Sequence, residues 1–398
     1  MAFDKLQAIL GSDLGNKSGA AAVEPSILIS SPQSSLIETN QGSRINFCSN
    51  NYLGLANHPE IIKHVIEGLQ KYGYGTAGAR AICGTQEIHR KLERELSVFL
   101  KKEDSILYPS GFDANAGLFE ALTDKSDTIL SDELNHASII DGIRLAQAHK
   151  KIYKHSDVHD LETKLCESAD SRIQIIVTDG VFSMQGDFAH LDKICDLADQ
   201  YNAVVIVDDA HGTGIVGENG RGTSEYTNTE DRIDLITSSL GKALGGAMGG
   251  VVSGRASIIE HLRKTSRPYL FSTSLSPAMV TGALKAIELV RLQPSLRQTL
   301  TTNTAYMRKN LTEIGLPIGP GSHPIIPIMI YDEQLAHSFA NYVNDHGIYV
   351  KAFTFPVVPK GQARIRIQIS SDHTQQQLDK AIETFHQAAH TIGMMSLH

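Results

Sequence analysis

The sequence predicts an α/β protein with a large domain on a mostly parallel sheet and a smaller α+β C-terminal domain. Two observations carry this expectation. From about residue 60, short apolar runs of strand length alternate with stretches of helical apolar spacing. The chain, at 398 residues, also exceeds one typical domain. Residues 1–44 read as an N-terminal segment of short helical or extended pieces rich in Ser, Gly and Pro. Residues 45–285 read as the large domain and 286–398 as the small one.

The elements follow in order. Ile88, Leu92, Leu96 and Phe99 recur at helical spacing, with Thr85 as the expected cap. Ser105–Tyr108, Thr128–Leu130 and Ile173–Thr178 are short enough and apolar enough to be buried strands. Leu191, Ile194, Cys195, Ala198 and Tyr201 mark a helix leading into a strand at Ala203–Asp208. A further strand is expected at Asp234–Thr237, and a long helix from Pro277 leads into the small domain. There, strands are expected near Ile325–Ile330 and Ala363–Ile369.

Composition narrows the function classes. Apolar content of 41% and charged content of 20% are those of an ordinary globular protein. A net charge of −8 opposes a general nucleic-acid or anionic-membrane surface. Cys48, Cys83, Cys166 and Cys195 are widely spaced, without a zinc-ligand or disulfide pattern, so no metal is expected. No apolar run approaches membrane-spanning length. The opening Met1-Ala2-Phe3-Asp4-Lys5 resembles neither a signal nor a transit peptide, so a cytoplasmic protein is expected.

The chemistry-bearing residues cluster just beyond expected strand ends. Lys242 stands among small residues in Ser238-Ser239-Leu240-Gly241-Lys242-Ala243-Leu244-Gly245-Gly246, and Asp208-Asp209-Ala210-His211 closes the preceding strand. An amine after one strand, with an acid and a histidine after another, is what pyridoxal phosphate chemistry requires. The amine forms a Schiff base with the aldehyde, and the carboxylate keeps the ring nitrogen protonated so that the ring draws electrons. Ser110, at the head of Ser110-Gly111-Phe112-Asp113-Ala114-Asn115, offers a hydroxyl and backbone N–H groups for an anion. His136 and Ser183 also follow strand ends, where ligands of open α/β sheets gather. Gly212-Thr213-Gly214-Ile215-Val216-Gly217 matches a dinucleotide fingerprint, but Glu218-Asn219-Gly220 is a poor helix start and speaks against that reading.

Longer segments carry a specific resemblance. They include Ile45-Asn46-Phe47-Cys48-Ser49-Asn50-Asn51-Tyr52-Leu53-Gly54-Leu55, Asn135-His136-Ala137-Ser138-Ile139-Ile140-Asp141-Gly142, Val207-Asp208-Asp209-Ala210-His211-Gly212 and Arg267-Pro268-Tyr269-Leu270-Phe271-Ser272. With the Lys242 segment, they resemble the α-oxoamine synthases, nearly end to end. The resemblance implies an aspartate-aminotransferase-like, fold-type I architecture and pyridoxal 5′-phosphate bound covalently at Lys242. It implies Asp208 at the ring nitrogen, His211 and Ser183 near the ring hydroxyl, and His136 stacked on the ring. Ser110, Gly111, Phe112 and Ser239 would hold the phosphate end, with Ser272 and Thr273 arriving from a partner subunit in a homodimer that shares its active sites. Asn50 would line the substrate pocket and Arg366 would bind the amino-acid carboxylate. Strand alternation puts Arg364 and Arg366 on one face, and the resemblance selects Arg366.

The segment Phe355–Arg366 points, within the family, to members that join glycine to acetyl-CoA, releasing CoA and 2-amino-3-oxobutanoate in a reversible step of threonine breakdown. Lys242 would take the Cα proton and His136 would assist the developing oxyanion. Two departures leave an alternative open: Thr76-Ala77-Gly78-Ala79-Arg80 is small in side chain, and Gly111 stands where a cysteine is expected. Both favour a longer acyl thioester, as in synthesis of 8-amino-7-oxononanoate. A non-catalytic partner subunit is opposed by the presence of Lys242.

Overall fold

Strands buried on both faces form the centre of the larger of two compact units. The computed structural model describes residues 2–9 and 27–394, so residues 10–26 of the expected N-terminal segment lie outside the described residues. The chain divides into two compact units: residues 50–300, and residues up to 49 together with 301 onward.

The larger unit holds a seven-stranded sheet. Its spatial order is Asp104–Tyr108, Gly250–Gly254, Leu235–Ser239, Val204–Asp208, Gln174–Asp179, Thr128–Asp132, His149–Tyr153. Neighbours pair in parallel from Leu235–Ser239 through to His149–Tyr153, and Gly250–Gly254 runs antiparallel to both of its neighbours. Every residue of Thr128–Asp132 and Gln174–Asp179 is buried. Burial on both faces is why these runs are continuously apolar rather than alternating. The edge strand His149–Tyr153 is largely exposed and carries Lys150 and Lys151, charges that discourage further strand pairing. Ile106, Ile129, Ile175, Ile206 and Val252 of the sheet pack with Phe119 and Ile259 of the covering helices. Each such side chain contributes about 1.5–3 kcal/mol by burial.

Helix Glu87–Phe99 buries Ile88, Leu92, Leu96 and Phe99 as the periodicity predicts, but its cap is Gln86, not Thr85. Gln86 and His89 exchange capping hydrogen bonds, the Gln86 N–H donating to His89 Nδ1 at 3.1 Å. Thr85 is engaged elsewhere: its Oγ1 accepts from Arg80 Nε at 3.0 Å and donates to the Arg80 carbonyl at 2.6 Å. Arg80 in turn forms an ion pair with Glu93 at 2.9 Å, their side chains 3% and 2% exposed.

In the smaller unit, the hairpin Leu36–Thr39 and Gly42–Asn46 gains the parallel strand Ile348–Tyr349. A second antiparallel sheet joins Ile325–Tyr331, Ala363–Gln368 and Ala352–Phe353. Helix Glu333–Asp345 packs on that sheet and against helix Gln375–Thr391. Arg308 donates to the carbonyls of Gly319, His323 and Ile325 at 2.8–3.0 Å, which fixes the turn before Ile325. Burial among those carbonyls pulls its guanidinium down to about 10. All four cysteines are free, and among the described residues no helix is long and apolar enough to cross a membrane.

The Arg80–Glu93 pair yields a stability prediction. Glu93→Gln leaves a buried guanidinium without its counter-charge, a defect that costs about 3–5 kcal/mol. Urea unfolding followed by tyrosine fluorescence should show that loss, and a loss below about 1 kcal/mol would contradict a structural role for the pair.

Candidate active site

The parallel strands of the larger unit end on one side of the sheet, and the loops that follow them enclose a cleft of about 240 Å³. Nine of the residues singled out from the sequence line it: Ser110, Gly111, Phe112, His136, Ser183, Asp208, His211, Ser239 and Lys242. They end or follow five strands of this sheet, so the topology collects them.

Asp208, the last residue of its strand, is 8% exposed. Its Oδ2 accepts from Asn115 Nδ2 and its Oδ1 from the Ala210 N–H at 3.0 Å. The other Asn115 amide hydrogen goes to Ser138 Oγ at 2.9 Å. The Ser138 N–H donates to His136 Nδ1 at 3.3 Å, so Nδ1 is an acceptor, and the Ser138 hydroxyl 2.6 Å away donates to it as well. An accepting Nδ1 puts the proton of the neutral ring on Nε2. The cleft walls strip water from His136 and lower its pKa; the Asp208 charge opposes that effect and Lys242 adds to it.

Asp179, also on the cleft, is the register partner of Asp208. Burial, and then the charge of Asp208, push its carboxyl well above the ordinary range. Asp179 therefore adds no second negative charge beside Asp208. His211 is held by Tyr52, whose hydroxyl lies 2.8 Å from Nδ1. Ser239 Oγ accepts from the Gly241 N–H at 3.1 Å, shaping the turn that presents Lys242. Gly245 and Gly246 follow with φ of 103° and 72°, a left-handed pair that favours glycine. The 212–217 glycines form turns, and the next helix begins only at Thr223. The buried Asp209, pushed up to about 7 by that burial, anchors this loop by accepting from the Thr223 N–H and hydroxyl.

The remaining expected site residues are not among those lining the cleft. Asn50 is half-buried in the larger unit. Ser272 and Thr273 lie beside Arg80 and Tyr269, with Thr273 bridged to Ala79. Arg366 belongs to the smaller unit, where its guanidinium lies over the Phe353 ring at 4.9 Å. Sequence reasoning assigned no role to Asn115, Ser138, Tyr52 or Asp179. Asn115 and Tyr52 stand inside motifs it used, but their partners are remote in sequence.

The cleft fits pyridoxal phosphate. An amine, a buried carboxylate and an imidazole share one wall system. A Cβ on Gly111 would lie 3.1 Å from Ser239 Cβ, so the glycine keeps open the cradle between Ser110 and Ser239. Ser238 Oγ and Asp179 Oδ1 are buried on this cleft without a hydrogen-bond partner, as expected of groups awaiting a polar ligand.

Comparison with known proteins agrees with this geometry. Residues 43–385 match the class I and II aminotransferases. The chain is 47% identical to a 2-amino-3-ketobutyrate coenzyme A ligase of Escherichia coli K12, covering 97% of this chain and 98% of that protein. It is 42% identical to an 8-amino-7-oxononanoate synthase of Bacillus pumilus, over 92% and 93% of the two chains. The fold superposes on serine palmitoyltransferase of S. paucimobilis with a TM-score of 0.92 at 28% identity, covering 98% and 99%.

The His136 environment gives a second prediction. Its lowered pKa means the ring is neutral at pH 7, and its contribution to apo-protein stability is lost as pH falls below 6.5. An NMR titration should place the His136 midpoint below 6.5; a midpoint at or above that value would contradict the Ser138 and cleft-wall account.

Proposed function

We propose that this chain, which belongs to the class I and II aminotransferase family and within it to the α-oxoamine synthases, condenses glycine with acetyl-CoA to give 2-amino-3-oxobutanoate and CoA. The reading makes it a glycine C-acetyltransferase, a pyridoxal-phosphate-dependent acyltransferase that also runs in the cleaving direction of threonine breakdown. The observation that carries it is the convergence of Lys242, Asp208, His136 and His211 on one cleft, in a chain whose full-length relatives include the ligase named above.

Pyridoxal phosphate supplies an aldehyde that takes up amines and an electron-poor ring that accepts the electrons of a broken Cα–H bond. Around it, this chain's residues divide the work. Lys242 would hold the cofactor covalently and would be the base for the glycine Cα proton. Asp208 would hold a proton on the ring nitrogen. His211, oriented by Tyr52, and Ser183 would take the ring hydroxyl. His136 would pack against the ring, and its Nε2–H would be available to the oxygen of the thioester carbonyl as negative charge develops there. Ser110, Gly111, Phe112 and Ser239 would take the phosphate. Arg366 takes the glycine carboxylate, for which a guanidinium offers a two-pronged match, and Asn50 contributes to the substrate pocket. The working unit is a homodimer in the cytosol, Ser272 and Thr273 of each subunit completing the phosphate site of the other.

CoA release with glycine against acetyl-, propionyl-, pimeloyl- and palmitoyl-CoA tests the reading. Acetyl-CoA should give the highest kcat/KM; a preference for pimeloyl-CoA would instead assign 8-amino-7-oxononanoate synthesis. Lys242→Ala should fold normally and lose CoA release by at least about 10³-fold, a barrier change of about 4 kcal/mol. Near wild-type turnover would remove Lys242 from its role. Arg366→Lys keeps the charge but loses the planar fork, so the KM for glycine should rise about tenfold or more. An equal rise in the acetyl-CoA KM, or the same effect from Arg364→Lys instead, would contradict the carboxylate assignment.

A further inference from the structure

One histidine outside the cleft ties together two loops that line it. His155 Nδ1 lies 3.0 Å from Asp132 Oδ1, and His155 Nε2 lies 2.9 Å from Asp187 Oδ2. A neutral imidazole has one donor and one acceptor nitrogen. With a carboxylate oxygen facing each nitrogen, both must donate, and the ring is an imidazolium. The edge of the ring packs on Phe182, centroids 4.4 Å apart at 83°.

The two carboxylates belong to different loops. Asp132 closes the Thr128–Asp132 strand, is 3% exposed, and accepts from the Leu134 N–H at 2.9 Å and the Ser156 N–H at 3.0 Å. It thereby shapes the turn that delivers His136. Asp187 closes the other turn, its carbonyl accepting from the Phe182 N–H at 3.1 Å, while the Gly186 N–H donates to the Phe182 carbonyl at 2.8 Å. Ser183 sits in that turn. A further charged neighbour is Glu133, whose carboxylate accepts from the His155 backbone N–H at 2.9 Å, and Ser156 Oγ lies 3.5 Å from Nε2.

We propose that His155 is a positioning residue whose imidazolium clamps the 132–136 loop to the 182–188 turn and so sets His136 and Ser183 on the cofactor cleft. It does not itself line the cleft, and the inference rests on the functional reading above. Burial alone would lower the pKa of His155; the hydrogen bonds to Asp132 and Asp187 outweigh it and raise the value to about 10. The sign follows from linkage. A raised histidine pKa gives stabilisation that is complete below 6.5 and is lost as pH rises through about 10. The clamp is therefore closed throughout the neutral range, unlike an ordinary histidine, which releases its proton near 6.5.

Two measurements on the full-length protein test this. In wild type labelled with ¹⁵N-histidine, the His155 ring is identified by its contact with Phe182. Both nitrogens should show protonated shifts at pH 8 and change only as pH approaches 10. A single neutral tautomer at pH 8 would overturn the clamp. Pyridoxal phosphate is then titrated into wild type and His155→Gln, reading the dissociation constant and the visible circular dichroism of the bound ring. The variant should bind about tenfold more weakly, the equivalent of one charge-assisted hydrogen bond, with a diminished dichroic band. Intact wild-type binding with an unchanged constant and band in the variant overturns this inference alone. Failure of the wild type to bind would overturn the functional reading and this inference with it.

Discussion

A buried negative charge at the end of the Val204–Asp208 strand is the constraint around which the larger unit is organised. Taking a carboxylate out of water is costly unless hydrogen bonds and counter-charges compensate. Asp208 receives the Asn115 amide and the Ala210 N–H, and the neighbouring Asp179 is held above the ordinary carboxylate range, so a second charge does not compete. What these contacts leave incomplete, a protonated ring nitrogen would supply. The cleft is thus built to receive one cationic aromatic ligand, and the arrangement exists before that ligand arrives.

The same hydrogen bonds reach outward from Asp208. Asn115 divides its two amide protons between Asp208 and Ser138, and Ser138 fixes the tautomer of His136. The residue that tunes the ring and the residue that would polarise the thioester are therefore oriented by one shared side chain. Local substitutions should be felt at both, which is the behaviour of a connected polar network rather than of independent contacts. Tyr52 and His155 perform the equivalent task for His211 and for the Ser183 turn. Preorganisation of this kind spares the protein reorganisation during the reaction.

Much of this was legible in the residues. Buried parallel strands leave apolar runs of fixed length, and Lys242, Asp208, His136 and Ser183 stand just past such runs, so the fold class and the central site follow from periodicity and position. The supporting groups do not. Asn115 and Asp208 are 93 residues apart, and Tyr52 and His211 are 159 apart; no spacing rule links them, because the sheet brings them together. The cap of helix Glu87–Phe99 shifted to Gln86 because Thr85 was recruited by Arg80, a competition that local propensity does not register. Asn50 and Arg366 rest on the resemblance alone, since side-chain alternation leaves Arg364 and Arg366 equivalent.

The central claim is that the Asp208 carboxylate makes proton removal from glycine possible. It is tested most directly by deuterium exchange at the glycine α-carbon, followed by NMR in heavy water without any acyl thioester. Wild type should exchange the α-proton, and Asp208→Asn, loaded to the same cofactor occupancy, should exchange it at least about 100-fold more slowly, a difference of about 3 kcal/mol. Equal exchange rates in the two proteins would contradict the account.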